Sequence, residues 1–476
     1  MTHNNTNSPE AKSAAPRRIP KLAAALHAAC LCGAASLLSF PAAADNGVDL
    51  SLLANVTHVT NVDQIPTGGR DDNIGGVGLL LDYLGQGPRY SVYARATGTY
   101  LDYLSKTFAS KVRGAFAGDA TFTLVPEHVT WEFRENFGPT LEDPLSSDRP
   151  DNWAYDSYFV TGPAFAVNLG SRNLLTANLL YGRTDYQNQA VPGNHYYLAD
   201  LAVAHPSGPH SGISLHVSDR DTMFDNGAQP VPLDIGNNFR ILETYVRWAA
   251  NFSRTGLVLD AGGTKLSESG SSGASAPLLR LDLTHKLSAH ISVEAQVGTQ
   301  YADTLDRLQL LQNQTANLGA TLQNIAPVAA ALKEKFAETL IQVTGTRTEI
   351  GLRARYDDVQ YQKTVSELAN QTFSDLTLEV DRRLTSVLRA YLAADRAQRQ
   401  FLPLTRKDTD LAWTVGLDLQ TTRKVHWVLS YQHLSRTSTD PTQEFHNSTA
   451  MLQVIYQALK KPVALRPALF KNEGVF

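Results

Sequence analysis

The stretch Leu411-Ala-Trp-Thr-Val-Gly-Leu-Asp-Leu-Gln420 alternates apolar and polar residues without a fault. Leu411, Trp413, Val415, Leu417 and Leu419 fall on one side, with Ala412, Thr414, Gly416, Asp418 and Gln420 on the other. A period of two marks a β-strand with one apolar and one polar face. The pattern recurs at Leu279, Leu281 and Leu283, at Ile291, Val293, Ala295 and Val297, and at Ile350, Leu352, Ala354 and Tyr356. In a soluble sandwich the polar face would be the surface. In a membrane barrel the apolar face meets lipid and the polar face lines the lumen.

The N-terminus decides between the two. A cationic cluster (Arg17, Arg18, Lys21) precedes an uncharged run from Leu22 to Phe40 and then Pro41-Ala-Ala-Ala44. This is the layout of a secretory signal peptide, with cleavage expected after Ala44. Small residues dilute the run too much for a helical anchor. Both cysteines, Cys30 and Cys32, lie inside the expected signal, so the mature chain has no thiol for a disulfide, a metal or catalysis. No other segment has the apolar length of a spanning helix. The slightly negative mean hydropathy does not exclude a barrel, since half of each strand faces water. A formal net charge of −4 over 476 residues shows no nucleic-acid footprint.

Connections alternate in length. Short turns are expected at Gly85–Pro88, Val125–Glu127, Gly170–Arg172, Ser253–Gly256, Leu287–Ala289, Arg383–Ser386 and Thr421–Lys424. Long polar loops are expected at Asn61–Asn73, Gly138–Asn152, Tyr186–Asn194, Asp219–Asn237, Leu266–Ala276, Arg396–Thr409 and Arg436–Asn447. Short periplasmic turns and long outside loops are the habit of outer-membrane barrels. Parity holds along the chain if Asp357-Asp358 closes a tight turn between Thr348–Tyr356 and Val359–Ser366. The fold class is therefore all-β: a transmembrane, antiparallel, up-and-down barrel of about 16–20 strands. Residues 1–44 are the signal, 45–458 the barrel and 459–476 a C-terminal tail. Aromatic residues near strand ends (Tyr100 and Tyr103, Trp131 and Phe133, Trp153 and Tyr155, Tyr181 and Tyr186, Trp248 and Phe252, Tyr431) are candidates for interfacial girdles. On the polar face, arginine at Gly416 is expected to be milder than arginine at Val415.

One segment departs from the period. Leu305, Leu308, Leu311, Leu318, Leu322 and Ile325, and then Val328, Leu332, Phe336 and Leu340, follow helical spacing, with Asp303 or Thr304 as an N-cap. This reads as a helical hairpin insertion over 302–345, between paired strands Ile291–Tyr301 and Thr348–Tyr356. A structural insertion packed on itself, a cap over the mouth, a lumen plug and a partner-binding hairpin are all compatible with it.

The sequence shows no catalytic constellation, cofactor site or metal site, and it reads as a non-enzyme. His426 and Ser430 share a strand face four residues apart, roughly 13 Å and beyond hydrogen-bond reach. His205 and His210 flank a Pro/Gly turn. The charges of both signs expected to line the lumen are Arg95, Asp119, Glu132, Arg134, Arg280, Asp282, Glu294, Arg353, Arg355, Glu379, Asp381, Arg389 and Asp418.

Two segments carry a family resemblance. Tyr431-Gln-His-Leu-Ser-Arg-Thr-Ser-Thr-Asp-Pro-Thr-Gln-Glu-Phe-His-Asn447, with the strand to Tyr456, resembles the last hairpin of the outer-membrane β-barrel porins associated with bacterial exopolysaccharide systems (β-barrel porin 2-like). Asn55-Val-Thr-His-Val-Thr-Asn61 is similar to that family's opening strand. The resemblance implies a barrel in the outer membrane that serves as an accessory or passage component of exopolysaccharide export. Outer-membrane lipid, polysaccharide and periplasmic export components are then the partners to consider, and nucleic acid is not. A general diffusion porin and a structural or adhesive barrel with a plugged lumen are the alternatives.

Overall fold

A computed structural model describes residues 45–143, 145–187, 192–225, 238–268, 273–303, 330–362 and 370–460. The expected signal, most of the tail and residues 304–329 of the helical reading lie outside the described residues. The described chain forms twenty strands. Strands β1 to β7 are Asp45–Val59, Asp72–Gly87, Tyr90–Tyr103, Lys111–Val125, Val129–Leu141, Trp153–Leu169 and Asn173–Tyr186. Strands β8 to β13 are Asn194–Gly208, Ser211–Phe224, Phe239–Asn251, Thr255–Glu268, Ala274–Lys286 and Ile291–Asp303. Strands β14 to β20 are Ala331–Thr344, Thr348–Tyr361, Gln371–Arg383, Leu388–Phe401, Arg406–Gln420, Val425–Ser438 and Phe445–Lys460. Each pairs antiparallel with its chain neighbour, and β1 closes on β20 with Leu52 opposite Tyr456 and Val59 opposite Thr449. The result is a closed barrel with no unpaired edge, which is what lets a sheet cross lipid.

The apolar face points outward. Leu52, Val56, Leu79, Leu201, Leu215, Leu279, Leu352, Leu411, Val415, Leu417, Leu429 and Leu452 are all exposed on the barrel wall. Aromatic contacts gather at both ends of this face. Phe137 stacks on Tyr155 and Tyr181 lies tilted against Tyr197 towards one rim, and Trp131 lies beside Phe133 towards the other. Tyr103 does not belong to the girdle: it is 1% exposed and packs with Val59 and Val62. Tyr186 likewise packs beside Tyr158, Val160 and Tyr196.

At one end the connections are short, such as 88–89, 209–210 and 345–347; at the other they are longer, such as 60–71, 142–152 and 225–238. The Arg396–Thr409 loop is a correction, because β17 continues to Phe401 and β18 begins at Arg406.

Two further corrections fall together. Ala331–Thr344, assigned to the second helix, is strand β14, paired with β13 on one side and β15 on the other. Strands Ile291–Tyr301 and Thr348–Tyr356 are therefore not neighbours. Leu332, Phe336 and Leu340 recur every fourth residue, and four is also a multiple of two, so the same spacing puts them on one face of a strand. That face is the inner one, while Lys335 is exposed on the other. Asp357-Asp358 closes no turn either: β15 runs through both to Tyr361. One strand missed and one strand split in two left the parity intact.

Inside the wall, rings lie over glycines. Phe336 covers Gly298, and Tyr391 lies over Gly416 so closely that a Cβ there would stand 2.2 Å from its Cζ. Arginine at Gly416 must therefore shift the end of the Tyr391 ring, so its cost reports that shift as well as the face the residue occupies.

Candidate functional site: the charged lumen wall

The inner face is built from arginine–carboxylate pairs between adjacent strands. Arg95 of β3 donates to Asp82 of β2 at 2.6 Å, and Arg134 of β5 to Asp119 of β4 at 3.0 Å. Glu132 stands opposite Thr121, one inward position from that pair. On β12, Arg280 reaches Asp260 (3.1 Å), Glu243 (3.4 Å) and Gln300 (3.2 Å). Arg247 holds the same Asp260 through two bonds of 2.7 and 2.9 Å. Asp282 stands opposite Gln296 and Glu294 opposite Thr284.

On β15 and its neighbours, Arg353 reaches Asp375 at 3.1 Å and Arg355 donates to Asp357 at 2.7 Å. The Thr377 hydroxyl lies between Asp375 (3.2 Å) and Asp395 (2.9 Å). Glu379 stands opposite Gly351 and Ala393. Arg389 bridges Asp381 at 3.2 Å and Asp418 at 3.7 Å, and His426 Nδ1 is 3.2 Å from Asp418. His426 thus joins a charge pair, with Ser430 four residues along the strand. His205 Nδ1 meets Asn173 Oδ1 at 2.8 Å, beside the turn at Pro209-His210.

The densest cluster sits where β17, β18 and β19 reach the long-loop end. Arg406 holds Asp408 through bonds of 2.9 and 2.6 Å, and Ser438 donates to the same carboxylate at 2.6 Å. Arg436 holds Asp410 through bonds of 2.6 and 2.8 Å. Arg399 stands 3.8 Å from Asp410 and is 2% exposed. Phe401 lies under Arg399 and Arg406, and Phe445 under Arg436. Sequence reasoning set most of this cluster in two loops. Beyond the lipid band both faces of a strand meet polar surroundings, so the apolar contrast that reveals a strand fades.

The connection 142–152 between β5 and β6 turns over the lumen. Asn152 ties its ends together, donating to Asp143 O and Ser147 O at 2.9 Å each. Gln64 Nε2 donates to Asp148 O at 3.2 Å, and the Trp153 indole N–H donates to the Asp148 carboxylate. Burial raises the Asp148 carboxyl above the ordinary carboxylate range, against the pull of Arg113, of the Trp153 bond and of Arg436. Arg436 stands on β19, on the far side of β20 and β1–β4, so the loop spans part of the mouth.

A carboxylate raised in the docked loop binds a proton that a released loop would have lost. Docking is then firmest at low pH and weakens as pH rises above the ordinary carboxylate range. Single-barrel conductance should increase between about pH 4 and about pH 8 in the parent and stay flat in Asp148→Asn. A parent profile that falls with pH would contradict this sign.

The last hairpin explains its own motif. Asp440 accepts from the Thr442 backbone N–H (3.0 Å) and hydroxyl (2.7 Å), and Ser438 Oγ accepts from Asp440 N at 3.0 Å. Asn61, in the segment resembling the family's opening, donates to His446 O at 3.0 Å, so the two resembling segments meet at the barrel seam.

The family model described as "Putative beta-barrel porin 2" matches residues 345–458. The chain is similar to that family over its last six strands. No curated protein matches the chain. Among solved structures, it is similar to the ferric enterobactin receptor PfeA of Pseudomonas aeruginosa, at 11% identity and TM-score 0.48, covering 88% of this chain and 81% of that one. The siderophore receptor PirA of the same organism gives 11% identity and TM-score 0.44, covering 86% and 80%. The FrpB iron transporter of Neisseria meningitidis gives 9% and 0.41, covering 86% and 81%. Nothing about cargo follows from these three. The closed antiparallel barrel has an apolar outer face and is similar to that porin family over residues 345–458, which gives the chain an outer-membrane β-barrel fold that is porin-like.

Proposed function

We propose that the protein provides a hydrophilic passage across the outer membrane and serves as a passage or accessory component of exopolysaccharide export. The observation that carries the reading is the inner wall itself. Charges of both signs run along it and neutralise one another in cross-strand pairs, as at Arg95–Asp82, Arg134–Asp119 and Arg389–Asp381. Such a wall is hydrophilic without a strong field of one sign, which supports a passage for polar solutes and leaves the choice of cargo to the family resemblance. The hairpin similar to exopolysaccharide-associated porins supports the choice of cargo. Lipid at the outer face, polysaccharide in the lumen and periplasmic export components at the short-turn end complete the proposal. It includes no enzymatic step and no nucleic acid.

Planar-bilayer recording tests it. The parent should conduct, and fragments of an exopolysaccharide should interrupt the current at concentrations where neutral glucose does not. Conductance indifferent to fragments would make it a general diffusion porin. No conductance at all would favour a structural barrel with a filled lumen. That second reading has an observation of its own: Leu332, Val359 and Asp357 are at most 1% exposed near the long-loop end.

A further inference from the structure

Three guanidiniums and two carboxylates meet at the long-loop end of β17–β19. Asp408 is held by two nitrogens of Arg406 and by Ser438, and Asp410 by two nitrogens of Arg436. Both carboxylates are thus already engaged by a two-point fork. Arg399 is left over. It stands opposite Asp408 in the register, yet its Nε and both terminal nitrogens have no hydrogen-bond acceptor among the described residues. It is 98% buried, and its one ion-pair distance, to Asp410, is 3.8 Å. An arginine cannot shed its charge to escape burial, so its planar fork calls for an anion.

The cluster's own chemistry says which anion. Each of the other two forks holds a carboxylate by two roughly parallel bonds, and Phe401 and Phe445 give them an apolar floor. The cluster carries one positive charge more than its carboxylates neutralise. We infer that Arg399 is the anchor of a carboxylate-binding subsite in the lumen mouth, filled by a carboxylate of the solute. The source is a uronate-bearing saccharide or a small free carboxylic acid. The subsite does not depend on the solute being exported or on the lumen being open.

Titration calorimetry on the full mature chain in detergent micelles tests this without requiring conductance. The probes are trigalacturonate, tricarballylate, maltotriose and inorganic phosphate. Trigalacturonate should bind at one site per barrel and maltotriose should not. Binding of trigalacturonate alone assigns a uronate saccharide; equal binding of tricarballylate assigns the carboxylate group by itself. Arg399→Gln should weaken binding at least about tenfold, or about 1.4 kcal/mol. Arg240→Gln, at an exposed arginine of β10 paired with Asp219, should leave it unchanged. Should Arg399→Gln fail to give a heat-resistant barrel, Arg399→Lys keeps the charge but loses the fork and should show the same weakening. Equal binding of maltotriose, binding by phosphate alone, binding indifferent to both Arg399 variants, or no binding of either carboxylate by the parent would overturn the assignment. Carboxylate binding by a barrel that does not conduct would leave the subsite standing and remove the passage reading.

Discussion

A barrel with arginine at Val415 should lose about 2–4 kcal/mol of folding free energy, whereas arginine at Thr414 should cost less than about 1 kcal/mol. The two positions are adjacent on β18 and differ in the face they occupy. Val415 is 41% exposed and lies between Leu392 and Tyr431, both exposed apolar residues of the outer wall. It sits mid-way along the run Leu411–Leu419, where a long cation has the farthest to reach for water. Thr414 lies between Ala393 and Gln432 on the inner face, where an added guanidinium remains hydrated. Thr414 replaces Gly416 as the inner control because the Tyr391 ring occupies the space above Gly416. Urea titration of barrels refolded into phosphatidylcholine vesicles reads the difference. Equal losses at the two positions would mean that β18 does not have one lipid face and one lumen face.

What alternation can reveal has a physical limit, and this chain shows both sides of it. Where a strand lies between lipid and lumen, as in Leu411–Gln420, the two faces meet different solvents and the residues must alternate. Arg353 and Arg355 occupy the inner face of β15, and Leu352 and Tyr356 its outer face, for that reason. Towards the long-loop end the outer solvent is no longer hydrocarbon. Ala397-Gln-Arg-Gln-Phe401 and Arg406-Lys-Asp-Thr-Asp410 carry polar residues on both faces, and they read as loop although both are strand.

β14 fails differently. Its inner face holds Leu332, Phe336 and Leu340 among Glu334 and Glu338, and its outer face begins with Lys333 and Lys335, so the polarity is inverted over half its length. A fourfold apolar spacing with no contrast between faces cannot separate a helix from a strand. The arginine cluster was illegible for a further reason. That Arg436 belongs to Asp410, and that Arg399 is left without a fork partner, are facts of register between β17, β18 and β19. Register is set by turn length and by the closing seam, not by any one strand's residues.

The largest effect is expected at the cluster. Asp410→Asn keeps the shape of the side chain and removes its charge, and it should cost about 3–5 kcal/mol. The Arg436 and Asp410 side chains are 4% and 3% exposed, so water screens their pairing little. In the parent, three buried guanidiniums share two carboxylates; in the variant they share one, and Arg436 loses its fork partner, as Arg399 lacks one already. The cost is the penalty of uncompensated buried charge, not the net worth of the pair. Removing both partners therefore separates the two quantities. Asp410→Leu combined with Arg436→Met replaces the pair by apolar groups of similar size and should recover most of the loss, because neither charge is then left dry. A double-mutant cycle in the same refolding assay should show a coupling above about 2 kcal/mol. A cost below about 1 kcal/mol for Asp410→Asn would mean that water reaches the pair. Arg399 would then have water for its donors, and the mouth of the lumen would be open at the level of β17–β19.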